Sequence, residues 1–93
     1  MTRLLIADEF PLARRGLRAL ACETGGITVV GEASCAAEVR ELVARERPDR
    51  VLLDLLMPDV VGTELVEELA CLERGPWVLV MSMLPARPHG LAA

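Results

Sequence analysis

The sequence predicts an α/β domain built on an open parallel sheet with helices on both faces. Three observations carry this. Short runs that are apolar on both faces recur at Leu4–Ala7, Val51–Leu53 and Trp77–Met81, as in the central strands of a parallel sheet. Between them the apolar period changes to that of a helix. Glycine and proline punctuate the changeovers. The resulting order is βαβαβαβ, which requires right-handed crossovers.

The elements follow in turn. A first strand at about 3–8 ends in the acidic pair Asp8-Glu9. A helix at about 11–23 opens on Pro11, a favoured first helical residue. It places Leu12, Gly16, Leu17, Leu20 and Ala21 on one face and Arg14, Arg15 and Arg18 on the other, and Gly25-Gly26 ends it. The strand at about 27–32 is more mixed and reads as an edge. Ser34 is the expected N-cap of a helix at about 35–46. Val39, Leu42 and Val43 face inward there, and Pro48 is the stop. A third strand at 50–54 ends in Asp54. The third helix, at about 63–74, starts near Gly62-Thr63 and ends at Gly75-Pro76. It buries Leu65, Val66, Leu69 and Leu72 and leaves Glu64, Glu67, Glu68 and Glu73 wet. A fourth strand at 77–82 ends in Ser82, and the tail turns toward a further helix.

Composition narrows the function. Ninety-three residues make one small domain, and 53% hydrophobic with 26% charged residues excludes a disordered polyelectrolyte. No apolar run approaches the roughly 18 residues of a membrane span. The apolar start is too short for a signal peptide, which points to the cytoplasm. The net charge of −4, without a basic block and with one Phe, one Trp and no Tyr, excludes an extended nucleic-acid surface with stacking aromatics. Three cysteines without a Cys-x-x-Cys suit a reducing compartment, and Cys22, Cys35 and Cys71 read as small hydrophobes. Every basic residue is Arg, a composition that suggests a GC-rich bacterial genome.

Ligands of open parallel sheets sit outside the carboxyl ends of the strands. Those ends carry Asp8, Glu9, Asp54 and Ser82. If the first and third strands are neighbours, three carboxylates converge, and like charges so close call for a cation. All-oxygen ligands on a hydrated site suit Mg²⁺. Asp54 stands before a Pro- and Gly-containing turn and is placed to attack a phosphoryl group. The Ser82 hydroxyl is placed to bond the new phosphate oxygens. Plainer readings stand beside these. Asp54 is then a strand-end acid bonded to amides of its own turn, Asp8-Glu9 an ordinary acidic approach to a helix, and Ser82 a turn residue. The arginines of the first helix are then a solvated face.

The acidic pair Asp8-Glu9, the stretch Asp54-Leu-Leu-Met-Pro-Asp-Val-Val-Gly62 and Val80-Met-Ser82 resemble the receiver domain of two-component response regulators. The segments from Ala7 to Leu17 and from Ile27 to Ala33 resemble the subgroup followed by a helix-turn-helix DNA-binding domain. The resemblance implies a flavodoxin-like doubly wound sheet. Its strand order is 2-1-3-4 here, with the fifth strand missing, so residues 1–93 form a single incomplete receiver domain. It implies Asp54 as phosphoacceptor, Ser82 as switch hydroxyl, and a Mg²⁺ site of Asp8, Glu9, Asp54 and the backbone carbonyl of Leu56. It implies a sensor histidine kinase as donor, docking near Leu12, Arg14, Arg15 and Arg18, and DNA contact only through an output domain outside this chain.

Three features depart from the family pattern. No Lys is present to bind the phosphate, Glu9 stands where Asp is usual, and Phe10 occupies an often polar position. Two functions compete: a Mg²⁺-dependent phosphoacceptor controlling transcription, and a receiver-like homodimerisation module that works without phosphorylation. For the 93-residue stretch alone the second is expected ahead of switching. A nucleotide-binding enzyme is excluded, because no Gly-x-Gly-x-x-Gly follows the first strand and a Walker loop needs Lys.

Overall fold

Leu5, Ile6, Ala7, Val51 and Leu53 have no exposed surface, so the two apolar runs that contain them lie side by side at the centre of the sheet. The computed structural model describes residues 1–60 and 63–81. In it β1 (Thr2–Ala7), β2 (Ile27–Ala33), β3 (Arg50–Asp54) and β4 (Trp77–Met81) form one parallel sheet in the order β2-β1-β3-β4. The helices α1 (Pro11–Thr24), α2 (Ala36–Glu46) and α3 (Glu64–Ala70) connect them. The predicted order of elements and strands is the observed one. The Gly62 helix opening, Ser82 and the tail helix lie outside the described residues.

Alternation along β1 and β3 sends side chains into two layers. Leu5, Ala7, Val51 and Leu53 pack with Val39, Leu42 and Val43 of α2 and with Leu65 and Leu69 of α3. Leu4 and Ile6 pack on the other face against Ala21 of α1, with Leu17, Val29 and Leu52 beside them. Burial on both faces is what a central parallel strand requires. The pairing of β1 with β2 shifts between Leu4 and Leu5, so Val29 and Gly31 face consecutive β1 residues. A Cβ at Gly31 would lie 3.3 Å from methyls of Leu42 and Leu5, which is why the smallest residue sits beside this bulge.

Parallel strands receive no register from a hairpin. Here Asp49, just before β3, bonds both neighbours. Its N–H donates to the Arg3 carbonyl at 2.8 Å and its carbonyl accepts from the Trp77 N–H at 3.0 Å. Its carboxylate accepts from the Arg3 N–H at 2.7 Å.

Three expectations are corrected. The inward stripe of α1 is narrower than predicted: Ala21 is buried and Leu17 half-buried, but Leu12 is 79% and Leu20 60% exposed. The helix is rolled so that Arg14 and Arg18 both reach Glu32 of β2, at 3.2 and 2.7 Å. Ser34 does not cap α2; Cys35 holds the N-cap position without a side-chain bond, and the Ser34 hydroxyl bonds Glu38. Finally, α3 ends at Ala70 and Leu72 is exposed. The chain tightens into three-residue turns, Leu72 N–H to Leu69 carbonyl and Gly75 N–H to Leu72 carbonyl. Arg74 then turns left-handed (φ 57) before Pro76. A proline two residues on cannot continue a helix.

Candidate functional site at the carboxyl ends of β1 and β3

Ala7 and Leu53 are register partners on adjacent strands. Asp8 and Asp54 each follow by one residue, so they emerge at the same level of strands about 4.8 Å apart. Both are fully buried. Each carboxylate folds back on its own turn: Phe10 N–H donates to Asp8 Oδ1 at 2.9 Å, and Leu56 N–H donates to Asp54 Oδ1 at 2.9 Å. The amide bonding that the plainer reading assigned to Asp54 is therefore present, but it occupies only one oxygen. Oδ2 of Asp8 and Oδ2 of Asp54 are buried with no hydrogen-bond partner.

A buried carboxylate oxygen without a partner is costly, and two on adjacent strands are more so. A hard divalent cation relieves that cost. The donor set, two carboxylate oxygens beside a turn that offers backbone carbonyls, fits Mg²⁺. Asp8 and Asp54 would hold it, with the Leu56 carbonyl as the protein's third oxygen; Leu56 is half exposed, in the turn pinned by Asp54.

The expected convergence of three carboxylates is not formed. Among the described residues no three His, Cys, Asp or Glu side chains group closely enough for a metal centre. Glu9 lies past the strand end, is only partly buried and does not join as a third acid. Ser82 lies outside the described residues.

Two residues near the site take roles that the sequence did not assign to them. Arg14 donates from Nη1 to the Asp8 carbonyl at 2.5 Å and from Nε to Glu32, tying the acidic turn to α1 and β2. Asp59, in the loop after Asp54, accepts from Ala36 N–H at 2.6 Å and Ala37 N–H at 3.2 Å, the first amides of α2. The Ala36 N–H above all holds the Asp59 carboxyl below its usual range; desolvation opposes this, while Ala37 and Arg40 reinforce it. Nothing in the sequence signalled this, because Ser34 stood where a local cap was expected. A groove lined by Val43, Arg47, Leu72 and Arg74 lies at the other end of the sheet, away from these carboxylates.

Residues 4–93 match the model of the response regulator receiver domain. The chain is 44% identical over 66 residues to the transcriptional regulatory protein BtsR of Escherichia coli K12, covering 71% of this chain and 28% of that protein. It is 33% identical over 69 residues to the response regulator GacA of Pseudomonas aeruginosa, covering 74% and 32%. The chain thus spans about a third or less of these two relatives. Among solved structures, the signal receiver domain of a NarL response regulator of Mycobacterium tuberculosis superposes with a TM-score of 0.79 at 30% identity, covering 98% of this chain and 73% of that one. A two-component response regulator of the LuxR family from Aurantimonas gives 0.82 at 29% identity, covering 92% and 61%. No helix among the described residues is long and apolar enough to cross a membrane.

Proposed function

This chain belongs to the response regulator receiver domain family, and from that premise we propose that it accepts a phosphoryl group on Asp54 in a Mg²⁺-dependent reaction. The observation that carries the proposal is the pair of buried, unpartnered oxygens, Asp8 Oδ2 and Asp54 Oδ2, at one end of the sheet. In the transfer an Asp54 oxygen attacks phosphorus. The bond from phosphorus to the donor imidazole nitrogen breaks, a P–O bond forms, and the imidazole leaves as its neutral form after protonation. Mg²⁺, when bound, supplies positive charge against the transferring oxygens. Asp54 Oδ1 stays bonded to Leu56 N–H, which fixes the carboxylate plane. Asp54 has no exposed surface. Arg14 holds the backbone of Asp8 in place from α1.

The partner is a sensor histidine kinase. Phe10 and Leu12 stand exposed where α1 begins, beside Asp8, and offer an apolar contact there. Arg14 and Arg18 are engaged by Glu32, which leaves Arg15 as the free cation of that turn among the described residues. Ser82 is the proposed switch hydroxyl, and the metal site is proposed without Glu9. The output is transcriptional and reaches DNA through a domain outside this chain, in the cytoplasm of a bacterium. BtsR is a transcriptional regulator, which supports this. A relative in Rhizobium etli is a protein-glutamate methylesterase; that activity is not carried over, and no external substrate is turned over. Self-association is proposed through exposed Trp77, Leu79 and Val80 of β4.

Intact-mass measurement after incubation with acetyl phosphate and Mg²⁺ tests the assignment. The protein gains one phosphoryl group; Asp54→Asn and metal-free controls gain none. A gain that survives Asp54→Asn overturns it.

A further inference from the structure

Helix α2 begins without a cap of its own. Cys35 makes no side-chain bond to it, and the Ser34 hydroxyl is occupied by Glu38. Its first two amides are taken instead by the carboxylate of Asp59, 23 and 22 residues further on. An acidic side chain at a helix N-terminus satisfies unpaired N–H groups and is favoured by the helix dipole. The helix itself is a firm anchor, because Ala36, Val39, Leu42 and Val43 are all in the core.

Asp59 closes the loop that starts at Asp54. That loop is held at its beginning by the Leu56 N–H bond to Asp54 Oδ1 and at its far side by α2. Between the two, Met57 is buried and its carbonyl accepts from Val60 N–H at 3.1 Å. We propose that Asp59 is a positioning residue: by capping α2 from a distance it fixes residues 55–58, and with them the Leu56 carbonyl, relative to Asp54. This rests on the reading of Asp54 as phosphoacceptor beside Mg²⁺. The link matters because Mg²⁺ demands near-ideal octahedral geometry, so a carbonyl on a loose turn is a poor ligand. Leu55 and Leu56 are not fully buried, so packing alone holds this part of the turn less firmly than it holds Met57.

A residue that merely stabilised α2 would be replaceable by any local cap. Cys35 has the extended backbone of an N-cap (φ −153, ψ 166), so Cys35→Ser supplies one. The experiment compares the unsubstituted protein, Asp59→Ala, Asp59→Asn and the double variant Asp59→Ala with Cys35→Ser. Amide hydrogen exchange is measured without metal, and Mg²⁺ affinity by calorimetry. In Asp59→Ala, exchange at Leu55, Leu56 and Met57 rises and Mg²⁺ binding weakens by about tenfold, the scale of losing an outer-shell support. Asp59→Asn, which keeps one acceptor oxygen, falls between. The double variant regains protection in α2 and its melting temperature but not the loop protection or the affinity. Loop exchange unchanged in Asp59→Ala, or restored together with α2 in the double variant, overturns the proposal. Absence of Mg²⁺ binding by the unsubstituted protein overturns the reading of Asp54 instead, and the loop exchange still decides the role of Asp59.

Discussion

Asp8 and Asp54 form the same turn on neighbouring strands: each accepts the N–H two residues ahead on one oxygen and buries the other without a partner. The arrangement is poor for stability and good for holding a cation.

Relieving it is expected to stabilise the metal-free protein. Asp8→Asn removes one of two buried charges and offers an amide to the remaining carboxylate. Urea denaturation without divalent ions should show a gain of about 1–3 kcal/mol, the cost of a buried unsatisfied group. Added Mg²⁺ should raise the midpoint of the unsubstituted protein only, as binding to the native state requires. A loss of stability without metal contradicts this account.

Acid should act through Asp59 and Glu38. The Ala36 N–H lowers the first, and the Ser34 hydroxyl, then the Ser34 N–H, lower the second. A carboxyl with a lowered native pKa binds fewer protons folded than unfolded, so stability rises with pH across that window. Its contribution is complete above the unfolded value, about 4, and disappears as pH falls through the native one. Melting curves of Asp59→Asn and Glu38→Gln should therefore lie below the unsubstituted protein at pH 7 and converge with it in acid. A gap that persists at low pH would argue for a packing effect.

Two glycines should respond in opposite directions to alanine. A Cβ at Gly75 would sit 2.5 Å from the Leu69 carbonyl oxygen and 3.0 Å from Leu72 Cβ, so Gly75→Ala is expected to cost about 1–3 kcal/mol by overpacking. Gly16, inside α1, has nothing within 4 Å, and Gly16→Ala should gain about 1 kcal/mol in helix propensity. Equilibrium unfolding of the pair checks both signs.

At the C-cap of α2, Arg47 is left-handed (φ 46, ψ 61), with its N–H on the Val43 carbonyl. Left-handed backbone costs a non-glycine residue about 1–2 kcal/mol, so Arg47→Gly should raise the unfolding midpoint despite the extra freedom of the unfolded chain. A lowered midpoint would mean that the arginine side chain contributes more than its backbone loses.

The strands were legible in the sequence because burial on both faces leaves a wholly apolar run, and Asp8 and Asp54 were legible because such runs stop abruptly at acid. The roll of α1 was not. Leu12, Leu17, Leu20 and Ala21 span a stripe wider than the contact, and only the pull of Glu32 on Arg14 and Arg18 selects which part turns inward. The start of α2 was misread for a related reason: a nearby serine satisfies the local rule, whereas the real acceptor is remote in sequence. The end of α3 was overrun because its glutamates and leucines keep the helical period to Leu72 and Glu73, past the point where the backbone has turned toward Pro76.

Asp49 sits at the opposite end of β3 from Asp54, about 17 Å along the strand. By clasping Arg3 and Trp77 it aligns three strands before their ladders begin. A slip of one residue would turn each side chain of a strand to the other face, and the two aspartates would then no longer emerge level. The chemistry at the top of the sheet is thus calibrated from its foot, by a residue that never meets the reactants.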